Sequence, residues 1–249
     1  MKHAVIGHGE IGKAIEEVLK LKDTNEVYYI DKGLDKNIPP DYLAECLHIC
    51  MPYTENFIKI VEDYSDRWLQ KSIGLVIIHS TVPVGTNKKL NSISSPVRGV
   101  HPNIKEGILT FVKYFGSSDL DEATRAGCIF SECGVDVKMV NNAEYCEAAK
   151  LWDTTQYGWQ IILNKAIHDW CKLNKVSFDF VYTEFNKTYN KGYIKLNRQE
   201  VVRSYLKYIE GPIGGHCVIP NLKFLEDSII ANLIKMFDNV EKKMVKENG

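Results

Sequence analysis

Over the first half of the chain, short apolar runs alternate with segments whose apolar residues recur at helical spacing, the pattern of helices laid over a largely parallel sheet. Runs near 2–6, 26–30, 46–51, 74–79, 97–100, 111–115 and 135–139 read as strands. Between them, Ile11 to Lys20, Thr54 to Gln70, Gly85 to Leu90 and Leu120 to Glu132 read as helices. Thr54 is placed to cap the second of these, and Ser118 or Asp119 the fourth. From Asn142 the character changes: Ala143 to Leu173 contains no Gly or Pro apart from Gly158, which predicts one long helix. Shorter helical patterns follow over roughly 177–189, 197–209 and 222–246, with no further strand alternation. The expected organisation is α/β and doubly wound over residues 1–140, then an all-helical domain built on one long helix over 141–249.

Gly7-His8-Gly9-Glu10-Ile11-Gly12 follows the first strand directly and opens a helix. That context turns a weak motif into a strong one. The first glycine makes the tight turn, the second lets backbone approach a pyrophosphate, and the third permits close packing of helix on strand. The N–H groups of Gly9, Glu10, Ile11 and Gly12 and the helix dipole favour phosphate. Asp31 ends the second strand, where a carboxylate accepts hydrogen bonds from ribose hydroxyls and repels a 2′-phosphate, so the expected cofactor is NAD rather than NADP. The first domain is therefore read as a dinucleotide-binding Rossmann domain.

Composition narrows the remaining classes. Thirty-one basic and 32 acidic residues, scattered along the chain, give no nucleic-acid footprint. No apolar stretch approaches the ~20 residues of a membrane span, and the chain enters a strand at once without a secretory signal. The seven cysteines are odd in number, form no CxxC pair and sit mostly in apolar segments. They read as reduced thiols of a cytoplasmic protein, with no metal site.

Three further stretches exceed what a fold requires: His79-Ser80-Thr81-Val82-Pro83-Val84-Gly85-Thr86, Glu147-Ala148-Ala149-Lys150-Leu151 and Gly211-Pro212-Ile213-Gly214-Gly215-His216-Cys217. With Ile49-Cys50-Met51-Pro52 they resemble, in order and spacing, the motifs of the UDP-glucose/GDP-mannose (nucleotide-sugar) 6-dehydrogenase family. The Gly-Gly-His-Cys form is similar to that of dehydrogenases of UDP-N-acetyl amino sugars. The resemblance covers the N-terminal Rossmann and central helical domains; the family's C-terminal UDP-binding domain has no counterpart in this sequence. It implies Cys217 as the nucleophile of a two-step oxidation of a primary alcohol to a carboxylate. Lys150 would stabilise an oxyanion or move a proton, and Thr81 would place water or substrate beside the nicotinamide. Met51, Pro52 and Ser80 would line the cofactor site. His101, Asn103, Glu106, Thr154, Gly215, His216 and Asn221 are the candidate substrate residues.

The chain also departs from that pattern. Asn103 stands where the family's Pro-Glu-Phe-Leu-x-Glu-Gly places its leading glutamate, Asn221 where it places an aspartate, and Thr154, beside Asp153, where it places an asparagine. Substitution of polar groups in one site keeps two other readings open: a two-electron hydroxyacid or 6-phosphogluconate-type dehydrogenase, and a catalytically degenerate NAD-binding protein. Trp152, Tyr157, Trp159 and Trp170 on the long helix predict a homodimer formed through it. The expected partner is a small-molecule substrate.

Overall fold

A computed structural model describes residues 1–31, 38–39, 41–215 and 217–248, with only the backbone described for 244–248. The chain divides into two compact units, Met1–Lys150 and Leu151–Gly249.

The first unit holds seven described strands, β1 (Lys2–Ile6), β2 (Glu26–Ile30), β3 (Cys46–Ile49), β4 (Leu75–Ile78), β5 (Ile93–Ser94), β6 (Lys113–Gly116) and β7 (Val137–Val140), in the order β2-β1-β3-β4-β5-β6-β7. The first five pair in parallel; β6 meets β5 antiparallel and carries β7 parallel to itself. Successive side chains of a strand point to opposite faces. Val5, Cys46, Leu75 and Ile77 accordingly pack on one side with α1 (Glu10–Leu19), α4 (Ile104–Thr110) and α5 (Leu120–Ser131). Ala4, Ile6, Leu47, Ile49 and Ile78 pack on the other with α2 (Phe57–Trp68). Both faces are covered, as the uninterrupted apolar strands require. The doubly wound reading holds.

The predicted strand at 97–100 is not one. Pro96 lacks a ladder donor, and Gly99 packs so closely on Gly107 that a Cβ there would lie 3.3 Å from the Gly107 Cα. The chain turns into α4, a helix absent from the sequence reading, and the strand falls instead at Ile93–Ser94. Asp119 is the cap of α5, accepting from the N–H groups of Asp121 and Glu122. Thr54 caps nothing with its side chain; its carbonyl accepts from Phe57 N at 3.0 Å and α2 begins there.

The long helix α6 runs Ala143–Leu173, beginning in the first unit and continuing into the second. Asn142 Oδ1 caps it through Glu144 N at 2.7 Å. The isolated Gly158 has a steric cause: a Cβ there would meet Val218 Cγ1 at 2.6 Å. The second unit continues through a π-helical turn (Asp179–Glu184), α7 (Phe185–Lys195), a 3-10 turn (Gln199–Val201), α8 (Val218–Asn221), a 3-10 turn (Leu222–Leu225) and α9 (Ile229–Asn248). Its core gathers Ile162, Ile213, Val218, Leu222, Ala231 and Ile234.

The helix expected over 197–209 is replaced by a short 3-10 turn and then an irregular strap from Val202 to Glu210. Its backbone is satisfied by side chains: Asn190 bonds both N and O of Arg203, Tyr182 Oη accepts from Leu206 N, and Asn164 Nδ2 donates to Leu206 O. Remote amides and a phenol thus supply what helical carbonyls would have supplied. No described helix is long and apolar enough to cross a membrane.

Candidate active site

From β1 the chain winds to β2 on one side and later to β3 on the other, so the topological switch point lies at the carboxyl ends of β1 and β3. The glycine turn occupies it. Gly7 adopts a φ of +88°, and a Cβ there would stand 3.0 Å from Met51 N, so the turn rests against the end of β3. At Gly12 a Cβ would fall 1.9 Å from Gly7 O, which only glycine tolerates. A Cβ on Gly9 would meet nothing within 4 Å, and no side chain caps α1 there. The opening turn of α1, with Glu10 and Ile11, thus presents its N–H groups at an uncapped end.

Asp31 is drawn to this turn, its Oδ2 accepting from His8 N at 3.1 Å. The His8 ring stacks on Tyr29 with centroids 3.7 Å apart and bonds to Glu16. Burial opposes the Glu16 carboxylate, yet bonds from Lys20 and His8 hold it below its ordinary range. Glu10 pairs with His101, which brings the loop before α4 against the phosphate turn. The His101–Pro102 peptide is cis. Asn103 and Glu106 lie at the start of α4.

Ser80 Oγ donates to Met51 O at 2.6 Å, tying the ends of β4 and β3 together below Pro52 and Thr81. Thr81 is half-buried in the loop leading to α3 (Thr86–Leu90). A residue the sequence reading quoted without assigning fixes that loop. Glu147, buried on α6, accepts from Gly85 N at 2.6 Å, Asn87 N at 2.8 Å and Asn87 Nδ2 at 2.7 Å. Burial raises its pKa and these bonds oppose the rise. Lys150 stands one turn further on the same face of α6, so the glutamate that anchors the Thr81 loop also registers the helix carrying Lys150.

Below this edge runs a row of buried polar groups that the sequence reading missed. His3 Nδ1 meets His48 Nε2 at 3.1 Å, His48 Nδ1 meets His79 Nε2 at 3.0 Å, and His79 Nδ1 meets Ser95 O at 3.0 Å. Lys113 Nζ donates to the same carbonyl at 2.8 Å. Burial pushes His48 and His79 well below the ordinary imidazole range and His3 down to about 4. Burial likewise lowers Lys113 to about 7; Cys50 and Cys146 oppose the shift and Lys150 adds to it.

Among the cysteines, burial raises Cys46 to about 12, Cys146 to about 11 and Cys50 higher still, which disfavours their thiolates. Cys217 is half-buried and stands at the N-cap position of α8. In the second unit, Gly215 at φ +79° precedes it and Asn221 ends α8. Thr154 is buried on α6, with Oγ1 donating to Leu151 O at 3.0 Å. His216 lies outside the described residues.

The fold, a doubly wound sheet followed by a helical unit built on one long helix, is shared with solved dehydrogenase structures. Its particular likeness is to nucleotide-sugar dehydrogenases. The structure of a UDP-D-ManNAc dehydrogenase from Pyrococcus horikoshii has a TM-score of 0.77 and 16% identity, with 96% of this chain and 68% of that one covered. The UDP-N-acetyl-mannosamine dehydrogenase of Staphylococcus aureus has a TM-score of 0.71 at 15% identity, covering 98% and 69%. The 3-hydroxyisobutyrate dehydrogenase of Mycobacterium tuberculosis has a TM-score of 0.68 at 13% identity, covering 98% and 94%. No family model matches the sequence, and no curated protein matches it.

Proposed function

We propose that the chain is an NAD-dependent dehydrogenase acting on a hydroxyl of a sugar-like substrate, such as a nucleotide sugar. The observation that carries this is the glycine turn at the switch point, where the Gly7–Gly12 contact leaves no room for a side chain and Gly9 leaves the helix end open. Gly7, Gly9, Glu10, Ile11 and Gly12 would hold the pyrophosphate, Asp31 the adenosine ribose, and Met51, Pro52, Ser80 and Thr81 the nicotinamide side. NAD, when bound, supplies the hydride acceptor for each two-electron step.

Lys150 takes the hydroxyl proton as the alcohol is oxidised to the aldehyde. The Cys217 thiolate adds to that aldehyde as a thiohemiacetal; loss of a second hydride leaves a thioester, which water cleaves to the carboxylate and the free thiol. Thr81 orients substrate, and His101, Asn103, Glu106, Thr154, Gly215, His216 and Asn221 contribute to its site. The exposed Trp152, Tyr157 and Trp170 on α6 support a homodimer formed through that helix, and the reduced, mostly buried cysteines support a cytoplasmic setting.

A second reading is a two-electron hydroxyacid dehydrogenase without a covalent step, favoured by the near-complete mutual coverage with the 3-hydroxyisobutyrate enzyme. Reduction of NAD with a panel of UDP-sugars and short hydroxyacids separates the two. A Cys217→Ser variant that halts turnover of a UDP-sugar supports the covalent reading; full activity in that variant assigns the second. Calorimetry with NAD and NADP tests the cofactor, and Asp31→Ala is expected to erase the preference for NAD.

A further inference from the structure

The strap that leads to Cys217 is held by buried polar side chains on two helices. Lys165 on α6 has its side chain only 5% exposed, and its Nζ donates to Ile209 O at 2.6 Å and Gly211 O at 2.5 Å. Glu241 on α9 lies 3.9 Å from that amine, and the amine stands 5.4 Å from the Tyr208 ring centroid. Two residues beyond, Ile213 N donates at 2.7 Å to Oδ1 of Asp238 on α9, a side chain only 1% exposed whose other oxygen pairs with Lys242 at 2.6 Å. Between the two grips the backbone turns at Gly211, φ +84°, and Pro212. Downstream of Cys217, Val218 and Leu222 are sunk in the core of the helical unit.

A lysine buried with two carbonyls and an aspartate buried with one amide do little for stability that apolar residues of similar size would not do as well. What they add is direction: each fixes one backbone group at one point. We infer that Lys165 and Asp238 are positioning residues that hold the Gly211–Gly215 turn and thereby set where Cys217 stands and how it reacts. The inference rests on the proposed role of Cys217 as nucleophile. It needs no new chemistry, since neither side chain touches the reacting atoms.

The test uses the full chain and two readouts. Hydrogen exchange resolved by peptide reads the turn. In Lys165→Met, amides of 209–215 are expected to exchange about tenfold faster, as loss of two hydrogen bonds implies, while those of α7 keep the wild-type rate. Iodoacetamide alkylation of Cys217, followed by mass spectrometry against the exposed Cys128, reads the thiol. At one fixed pH near neutrality the wild-type thiol is expected to be alkylated faster than Cys128. In Lys165→Met that excess rate is expected to be lost, and Lys165→Arg, which can still donate to both carbonyls, is expected to restore it.

If Lys165→Met does not fold, Lys165→Gln, which reaches one carbonyl, and Asp238→Ala replace it with the same expectations. Unchanged exchange, or an unchanged alkylation rate in folded variants, overturns the inference. A wild-type Cys217 that reacts no faster than Cys128 overturns the nucleophile reading instead, and the exchange data then decide separately whether Lys165 holds the turn.

Discussion

Replacing Lys113 by methionine should stabilise the protein at neutral pH, and the gain should vanish in alkali. Lys113 opens β6 with 4% of its surface exposed, its amine set 5.6 Å from the Phe115 ring centroid and 5.4 Å from that of Phe130. Burial takes its pKa from 10.5 to about 7, with Cys50 and Cys146 opposing and Lys150 reinforcing. Between those values the unfolded chain binds a proton that the fold does not, so stability rises with pH across that window. At about 1.4 kcal/mol per pH unit, a fall of about 3.5 units costs the fold about 5 kcal/mol near pH 7. Methionine removes this cost and fills a similar volume. It gives up the bond to Ser95 O, worth about 1 kcal/mol, but that carbonyl keeps His79. The expected net gain is about 4 kcal/mol near pH 7, falling to nearly zero near pH 10. Urea unfolding followed by Trp68, the tryptophan of the first unit, measures both. A destabilisation equal at the two pH values would refute the argument, because it would mean that the native fold keeps the ammonium charged and solvated.

The histidine row should make the first unit acid-sensitive. His3, His48 and His79 are all depressed below 6.5 by burial, so their contribution is intact above pH 6.5 and is lost as pH falls below it; urea midpoints for wild type and His48→Phe should diverge there. Gly12→Ala places a methyl 1.9 Å from Gly7 O, and calorimetry should show NAD affinity reduced by about a hundredfold or more, equivalent to about 3 kcal/mol. Glu147→Ala strands the half-buried Gly85 N–H, the buried Asn87 N–H and the Asn87 amide. It should cost about 3 kcal/mol in urea unfolding; a loss under 1 kcal/mol would show that the Thr81 loop stands without it.

What the sequence made legible was local. Gly12 is demanded by a contact five residues back and Gly7 by the adjoining strand end, while Gly9 leaves the helix end open, so spacing alone announced the turn. The long helix could be bounded because Asn142 caps it and only Gly158 interrupts it. The strap at 202–210 could not be foreseen. Its partners Asn190, Tyr182 and Asn164 stand 13, 24 and 42 residues away from the groups they bond, and nothing in the local pattern says that side chains will replace helical carbonyls. The histidine row was hidden for the same reason: strand register alone aligns residues 45 and 31 positions apart. Glu147 lay inside a quoted motif, but its work depends on two N–H groups 60 or more residues earlier.

The same row has a polarity. Ser95 O can only accept, so His79 carries its hydrogen on Nδ1 and offers a lone pair at Nε2. His48 must then donate from Nδ1 and accept at Nε2, and His3 must donate from Nδ1 in turn. One carbonyl beyond β5 therefore dictates the tautomer of an imidazole on β1. Within the row, His3 Nε2 is the ring nitrogen that bonds to no other ring or carbonyl, which makes it the point where the first proton enters. The three rings will then titrate as one unit with shared macroscopic constants, and 15N spectra at neutral pH should show three Nδ1–H tautomers.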